Sequence, residues 1–359
     1  MSSPRVTLLI PHLLWPEPND AYAFDDLTVP GLTTLLVRGQ FNRAAIEPWE
    51  ASLLALMGVG EHSAAELRRR GEADSPDARA ANWLCADPVH LKFHHERIVL
   101  ADTGAFSLAA EESAALIEAL NREFGDLGRF EAPHPERWYL SIAETLAYRA
   151  PPLSAAAGRT LDLPEGGDAA RVKRWLNEIQ MMLHAHPVNQ AREARGQPPV
   201  NGLWLWGGGE KMEKIGDRPR FHGGKRGLSP IFPLDPEFSG IWSDDPLAIG
   251  LARAAHIPQH PDAVDLCNVL AHAAPDSHHL VVLDTLLTPA LYEDSAAWRE
   301  ALQQLEVRWF APLAAGEAAA TLVAPTRYGL LRCDWSPLDR FKFWRRPQPL
   351  AALALSLAL

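Results

Sequence analysis

With 359 residues, 47% of them apolar and 22% charged, the chain has material for one large α/β domain or two ordinary ones. A formal charge of −11 argues against nucleic acid as a partner, because phosphate backbones select basic surfaces. Cys85, Cys267 and Cys333 are far apart and odd in number, which suits a reducing cytoplasm and makes no zinc motif. No run approaches the ~20 apolar residues of a membrane span, and Val6–Ile10, ended by Pro11, is too short for a signal-peptide core. The expectation is a cytoplasmic protein without an integral membrane segment.

Val6–Ile10 reads as the first strand. Thr28–Arg38 opens on Pro30-Gly31 and then spaces Leu32, Leu35 and Leu36 as a short helix does. Glu47–Gly58 holds a leucine-rich helix whose Leu53, Leu54, Leu56 and Met57 belong to a core. From Glu61 to Pro76 charges dominate, which predicts a solvated helix face and linker. Trp83–Leu91 reads as a strand entering a turn at Asp87-Pro88, with Ile98–Leu100 as its partner. Ser107 is placed to cap a helix striped by Leu116, Ile117, Leu120 and Phe124; Trp138–Leu140 is a strand. Asp168 opens a second helix, with Val172, Trp175, Leu176, Ile179 and Leu183 on one face.

Leu203–Trp206 is a short buried strand followed at once by Gly207, Gly208 and Gly209. Three glycines either let a loop cross the sheet or offer backbone amides to an anionic or polar ligand. In the second case Trp204, Trp206 and Asn201 wall the site, and Asn189, Arg192 and Lys225 supply further polar and charged partners. Lys211–Arg226 concentrates Arg218, Arg220, His222, Lys225 and Arg226, as either a solvated loop or an anion-binding flap. Helices are expected from Pro246 to Arg253 and from Trp298 to Trp309, and strands at Leu280–Asp284, Ala319–Pro325 and Tyr328–Asp334. In the tail, Phe341–Leu350 is basic and aromatic, and Leu353, Leu355, Leu357 and Leu359 alternate as in a strand or docked tail rather than a lipid-bound helix.

His186, Pro187, Asn189, Arg192, Gly196, Pro199 and Asn201, leading into Trp204-Leu-Trp-Gly-Gly-Gly209, carry a family resemblance. The run resembles archaeal-type cofactor-independent phosphoglycerate mutases of the alkaline-phosphatase superfamily, and more closely a bacterial group of regulatory proteins of the RpfE type. The resemblance implies an α/β fold: a three-layer core with a central, mostly parallel sheet, interrupted by a smaller α/β domain. It places core at 1–75 and 200–359 and the inserted domain at 76–199, with Leu203–Trp206 in the same sheet as Val6–Ile10.

The chemistry that the resemblance implies is two divalent ions bridging a phosphate, with a Ser or Thr nucleophile between them. The residues depart from that pattern. No histidine follows His279. The late Asp-His pair would fall in Leu322–Arg327, the Asp-x-x-x-His segment in Asp284–Asp294, and the first Asp at Pro11-His12. The Ser-Asp nucleophile start aligns with Trp49-Glu50, with Ser52 about a turn away. The close histidine pairs (His184/His186, His94/His95, His278/His279, His256/His260) lack the companions of a recognised metal site. Hence no catalytic residue, metal site or cofactor is assigned. The expected function is non-catalytic: regulation or ligand binding, with an anionic small molecule or a protein as partner. The alternative is a divergent metal-dependent mutase or phosphoesterase using His12, Glu50 and Asp284. A structural subunit of a complex is a third class.

Overall fold

The structure is a computed structural model and describes residues 4–60, 64–73, 82–94, 97–158, 164–208 and 238–358. The chain divides into two compact units, Met1–Gly58 with Asp217–Leu359, and Val59–Gly216. The class is α/β as expected, with one large, mostly parallel sheet and a second, antiparallel one.

In the first unit seven strands lie in the order β2 (Gln40–Ala44), β12 (Gly329–Trp335), β11 (Ala319–Thr326), β1 (Arg5–Leu9), β10 (His278–Val282), β8 (Gly240–Trp242) and β9 (Gln259–His260). From β11 to β9 every pairing is parallel, and β12 runs antiparallel to both of its neighbours. Val6, Thr7, Leu8 and Leu9 of β1 are all buried, without the alternation of a half-exposed strand, as a central parallel strand requires.

The helix Pro30–Arg38 has no side-chain cap of its own at Val29. Its open amides are served from far away in sequence. Glu306, in a single π turn Glu306–Phe310 that continues the helix Ser295–Leu305, accepts from the Gly31 amide at 2.6 Å and the Leu32 amide at 3.0 Å. Gly31 must be glycine for this approach, since a Cβ there would lie 2.6 Å from the Ala311 nitrogen. The tail corrects the alternating reading: Leu350–Ala358 is a helix that buries Leu350, Ala354 and Leu357. Leucine and alanine are strong helix formers, and spacings of four and three residues win over the coincident alternation.

The second unit holds β3 (Asn82–His94), β4 (Arg97–Ala101), β5 (Arg129–His134), β6 (Arg137–Ile142) and β7 (Gly202–Trp206), in the order β4-β3-β6-β5 with β7 also on β3. Here the expectation for Leu203–Trp206 fails. This strand is antiparallel to β3, with Cys85 opposite Trp206 and Val89 opposite Gly202, and is not in the sheet of β1. An all-apolar strand states that it is covered on both faces, not which sheet receives it. The unit boundaries accordingly fall at 58/59 and 216/217 rather than at 75/76 and 199/200. Nor does β3 turn at Asp87-Pro88. Between Ala86 and Val89 it pairs with β7 alone, so one edge needs no donor and a proline is tolerated.

The charge run is the second correction. It forms the helix Ala64–Glu72, whose Arg68 and Arg70 are buried. Arg68 Nη1 lies 2.9 Å from both oxygens of the fully buried Asp87 carboxylate, which also accepts from Trp206 Nε1 at 2.7 Å. Burial works against the Arg68 charge, but Asp87 and the neighbouring groups hold the guanidinium more firmly protonated than usual. The Tyr139 and Trp206 rings lie 5.5 and 5.6 Å from it. Arg69 pairs with Glu131, and Glu72 with Arg137 and Tyr139. Charges at i, i+1 and i+4 look solvated in a sequence; here Asp87, Glu131 and Arg137, on three different strands, pair with them.

Removing one partner of such a buried pair leaves an uncompensated charge, a loss of about 3–5 kcal/mol. Asp87→Ala is therefore expected to lower unfolding stability by that amount in urea titrations. Arg68→Met with Asp87→Leu should recover much of the loss; additive losses in the double variant would contradict the coupling.

Candidate functional site

Strands β1, β8, β9, β10 and β11 are parallel and so end on one side of the sheet, which is where an open α/β fold gathers its functional groups. Beyond β8 come Asp244 and Asp245, beyond β9 Asp262, and beyond β10 Asp284. Asp245 is committed to the helix Pro246–Ala255, accepting from the Leu247 and Ala248 amides, and Asp262 accepts from the Asp244 amide. Burial, then Asp245, Asp262 and Asp244, push the Asp284 carboxyl up to about 6. Four carboxyl groups thus crowd one end of the sheet.

Past β1 the chain turns at His12, whose φ of 55° is left-handed and whose amide bonds to the Pro325 carbonyl, beyond the part of β11 that pairs with β1. Where the resemblance would put an Asp-His pair, β11 passes into a tight hairpin. Thr326 Oγ1 donates to the Gly329 carbonyl, Tyr328 OH to the Trp15 carbonyl, and Arg327 pairs with Glu17.

The helix Trp49–Leu56 packs against β11 and the helix Pro246–Ala255. Trp49 and Glu50 are its first two residues and both are buried. The Trp49 indole N–H has no hydrogen-bond partner among the described residues. Ser52 is buried one turn in, its hydroxyl donating to Glu47 Oε1 at 2.6 Å. Among the described residues no hydroxyl stands free at the head of this helix.

One cluster escaped the sequence reading. Trp242 stacks on His260 at 4.1 Å between ring centroids, with His272 at 5.6 Å and His279 at 6.3 Å. Its Nε1 donates to His279 Nδ1, which leaves His279 Nε2 to donate to Ser277 Oγ. Gly240 makes room, since a Cβ there would meet His279 and His260 at 3.2 and 3.3 Å. Burial first, then the neighbouring imidazole, lowers the pKa of His260 and of His279. Its parts come from three strands and a helix, so no local spacing signals it. His278 points elsewhere, to Thr7 Oγ1 at 2.8 Å, and burial, then Arg5, bring its pKa down to about 4.

The described residues among those expected around the glycine run have their polar groups on protein partners. Asn189 bonds to the Leu183 and Val200 backbone, Arg192 to Glu112 and the Pro198 and Ser107 carbonyls, and Asn201 to both backbone groups of Leu91. Trp204 Nε1 donates to the Pro151 carbonyl and Trp206 Nε1 to Asp87. Gly207 turns with φ of 77° and accepts from the Ala65 amide; a Cβ on Gly208 would strike the Trp83 carbonyl at 2.3 Å. Gly209, Lys225 and the rest of the basic 211–226 stretch lie outside the described residues.

No family model matches the chain. It is 34% identical over 131 residues to 2,3-bisphosphoglycerate-independent phosphoglycerate mutase 2 of Methanothermobacter thermautotrophicus, covering 34% of this chain and 32% of that one. The corresponding mutase of Methanosarcina acetivorans is 26% identical over 191 residues, 50% of this chain and 48% of its own. Its relatives are phosphoglycerate mutases. The chain spans about a third to a half of the length of these mutases in the matched regions. A solved structure of a Pyrococcus horikoshii protein shares the fold, with a TM-score of 0.54 at 10% identity over 98% of this chain and 93% of that one.

Against the two-metal site implied by the phosphoglycerate mutase resemblance, the donor set does not fit. Two of the four aspartates are engaged by backbone amides, and a threonine and an ion-paired arginine stand at the Asp-His position. Among the described residues no group of three or more His, Cys, Asp or Glu side chains is placed to hold a metal ion.

Because the Asp284 carboxyl titrates at about 6 rather than 3.8, the fold favours its protonated form. Its contribution is full below pH ~4 and is lost as pH rises through ~6. Asp284→Asn is expected to add on the order of 1–3 kcal/mol at pH 8 and almost nothing at pH 4, measured as the difference from wild type in urea unfolding. A difference that does not change with pH would contradict this electrostatic account.

Proposed function

We propose that this chain is a non-catalytic, ligand-binding or regulatory protein built on a phosphoglycerate-mutase-like fold. The observation that carries the reading is Trp49 at the head of its helix, buried where the resemblance expects the nucleophile. An indole cannot attack phosphorus, and it fills the space in which phosphate and metal would meet. The nearest hydroxyl, on Ser52, is turned back to Glu47. Losing the nucleophile together with the metal clamp removes both covalent catalysis and charge neutralisation.

Binding survives such changes more easily than catalysis does. The first-turn amides of the helix Trp49–Leu56 have no side-chain cap, and the buried indole N–H beside them is a donor left open for a polar ligand. We place no ligand on Asn189, Arg192 or Asn201, because it would have to break hydrogen bonds the fold already makes. The second reading is a divergent metal-dependent phosphoglycerate mutase or phosphoesterase drawing on His12, Glu50 and Asp284, the last at the four-aspartate end of the sheet.

With Mn²⁺, Mg²⁺, Co²⁺ or Zn²⁺ added, the purified protein is expected to show neither mutase nor phosphatase turnover. A panel of phosphorylated metabolites should contain one that raises the melting temperature saturably, with the rise lost in Trp49→Phe. Metal-dependent turnover abolished by Ser52→Ala would establish the second reading instead.

A further inference from the structure

From Arg340 to Arg346 every residue is basic or aromatic: Arg-Phe-Lys-Phe-Trp-Arg-Arg. The fold does not bury the rings. Phe343 is 75% exposed, Trp344 67% and Phe341 55%, and Leu338 just before them is 73% exposed. Single exposed apolar residues need no explanation, but four between Leu338 and Trp344 make a contiguous patch of the kind that marks an interaction surface.

The posture is built rather than loose. Ser336 caps the short turn Pro337–Phe341, and Asp339 reaches back to the Ser336 amide. Arg38 holds the segment from beneath, donating to the carbonyls of Arg340 at 2.7 Å and Arg345 at 3.3 Å. Arg340 itself donates to the Ala315 carbonyl. Beside the rings opens a cleft of about 430 Å³, lined by Leu36, Val37, Gly39, Phe41, Lys342 and Arg345. Arg345 makes only long contacts there, 3.4 Å to the Gly39 carbonyl and 3.5 Å to that of Val37. Arg38, Arg340, Lys342, Arg345 and Arg346 gather five cations on this segment and beneath it, and Lys342 pairs with Asp339, in a chain whose net charge is −11.

We propose that this patch seats the protein on an anionic lipid surface. Phe343, Trp344 and Leu338 enter the interfacial layer while Lys342, Arg345 and Arg346 meet headgroup phosphates at the cleft. Aromatic rings suit the boundary between acyl chain and water, and basic side chains add attraction to anionic lipid that acts within a Debye length, whatever the distant net charge. Among the described residues no helix is long and apolar enough to cross a membrane, so the contact is peripheral. A second copy fits poorly, because a two-fold interface would set these five cations against their own images. A nucleic acid fits poorly as well. Phe343 and Trp344 meet edge to face at 78° and Leu338 has no ring, which makes no platform for successive bases.

The test is flotation of the full chain with phosphatidylcholine vesicles, with and without phosphatidylglycerol. Binding is expected only to the anionic vesicles and should weaken as salt rises. Arg345→Glu with Arg346→Glu should weaken it at least about tenfold, at roughly fivefold for each charge removed. Phe343→Ser with Trp344→Ser should abolish it. All four side chains are exposed, so circular dichroism and melting temperature should match wild type in both variants. Absent binding, equal binding to neutral vesicles, or variants that bind like wild type would each overturn the proposal. So would patch variants that change only the sedimenting mass or an oligonucleotide's mobility, which would assign the surface to a second copy or to nucleic acid.

Discussion

A fully buried carboxylate, Asp87, sets much of the second unit. It sits in the middle of β3 and takes hydrogen bonds from Arg68 on the helix Ala64–Glu72 and from Trp206 at the end of β7. Three elements distant in sequence converge on two oxygens. A lone buried charge is costly, so the guanidinium from the helix and the indole from the strand offset the burial of Asp87. The Ala65–Gly207 bond then closes the same junction through backbone, which is why the strand must end on a residue able to adopt positive φ.

The first unit uses a carboxylate in the opposite way. Glu306 is also buried, but its partners are the uncapped amides of the helix Pro30–Arg38 rather than a cation. Gly31 and the π turn that presents Glu306 are two halves of one device, since each is needed for the close approach. At the carboxyl end of the sheet the aspartates bear on one another instead. Asp284 feels them most, because it is the one most withdrawn from water.

Charge is therefore sorted by place. Acids gather at the carboxyl end of the parallel sheet, while the aromatic segment near the C-terminus carries basic residues on an acidic chain.

Local pattern determined the elements whose burial is local. β1, β10 and β11 were legible as short unbroken apolar runs, and the helix Pro30–Arg38 and the stripe Val172, Trp175, Ile179 and Leu183 by the 3.6-residue period that records which face meets a core. The residue types on which the proposed function rests, at Trp49 and after His279, were likewise readable directly. Tertiary structure alone decided what those elements meet. It put β7 beside β3, turned a solvated-looking charge run into a buried ion network, and packed three histidines about Trp242. It also made a docked helix of Leu350–Ala358. Each depends on partners tens to hundreds of residues away, and a buried arginine or an unpaired strand looks the same in sequence whether its partner exists or not.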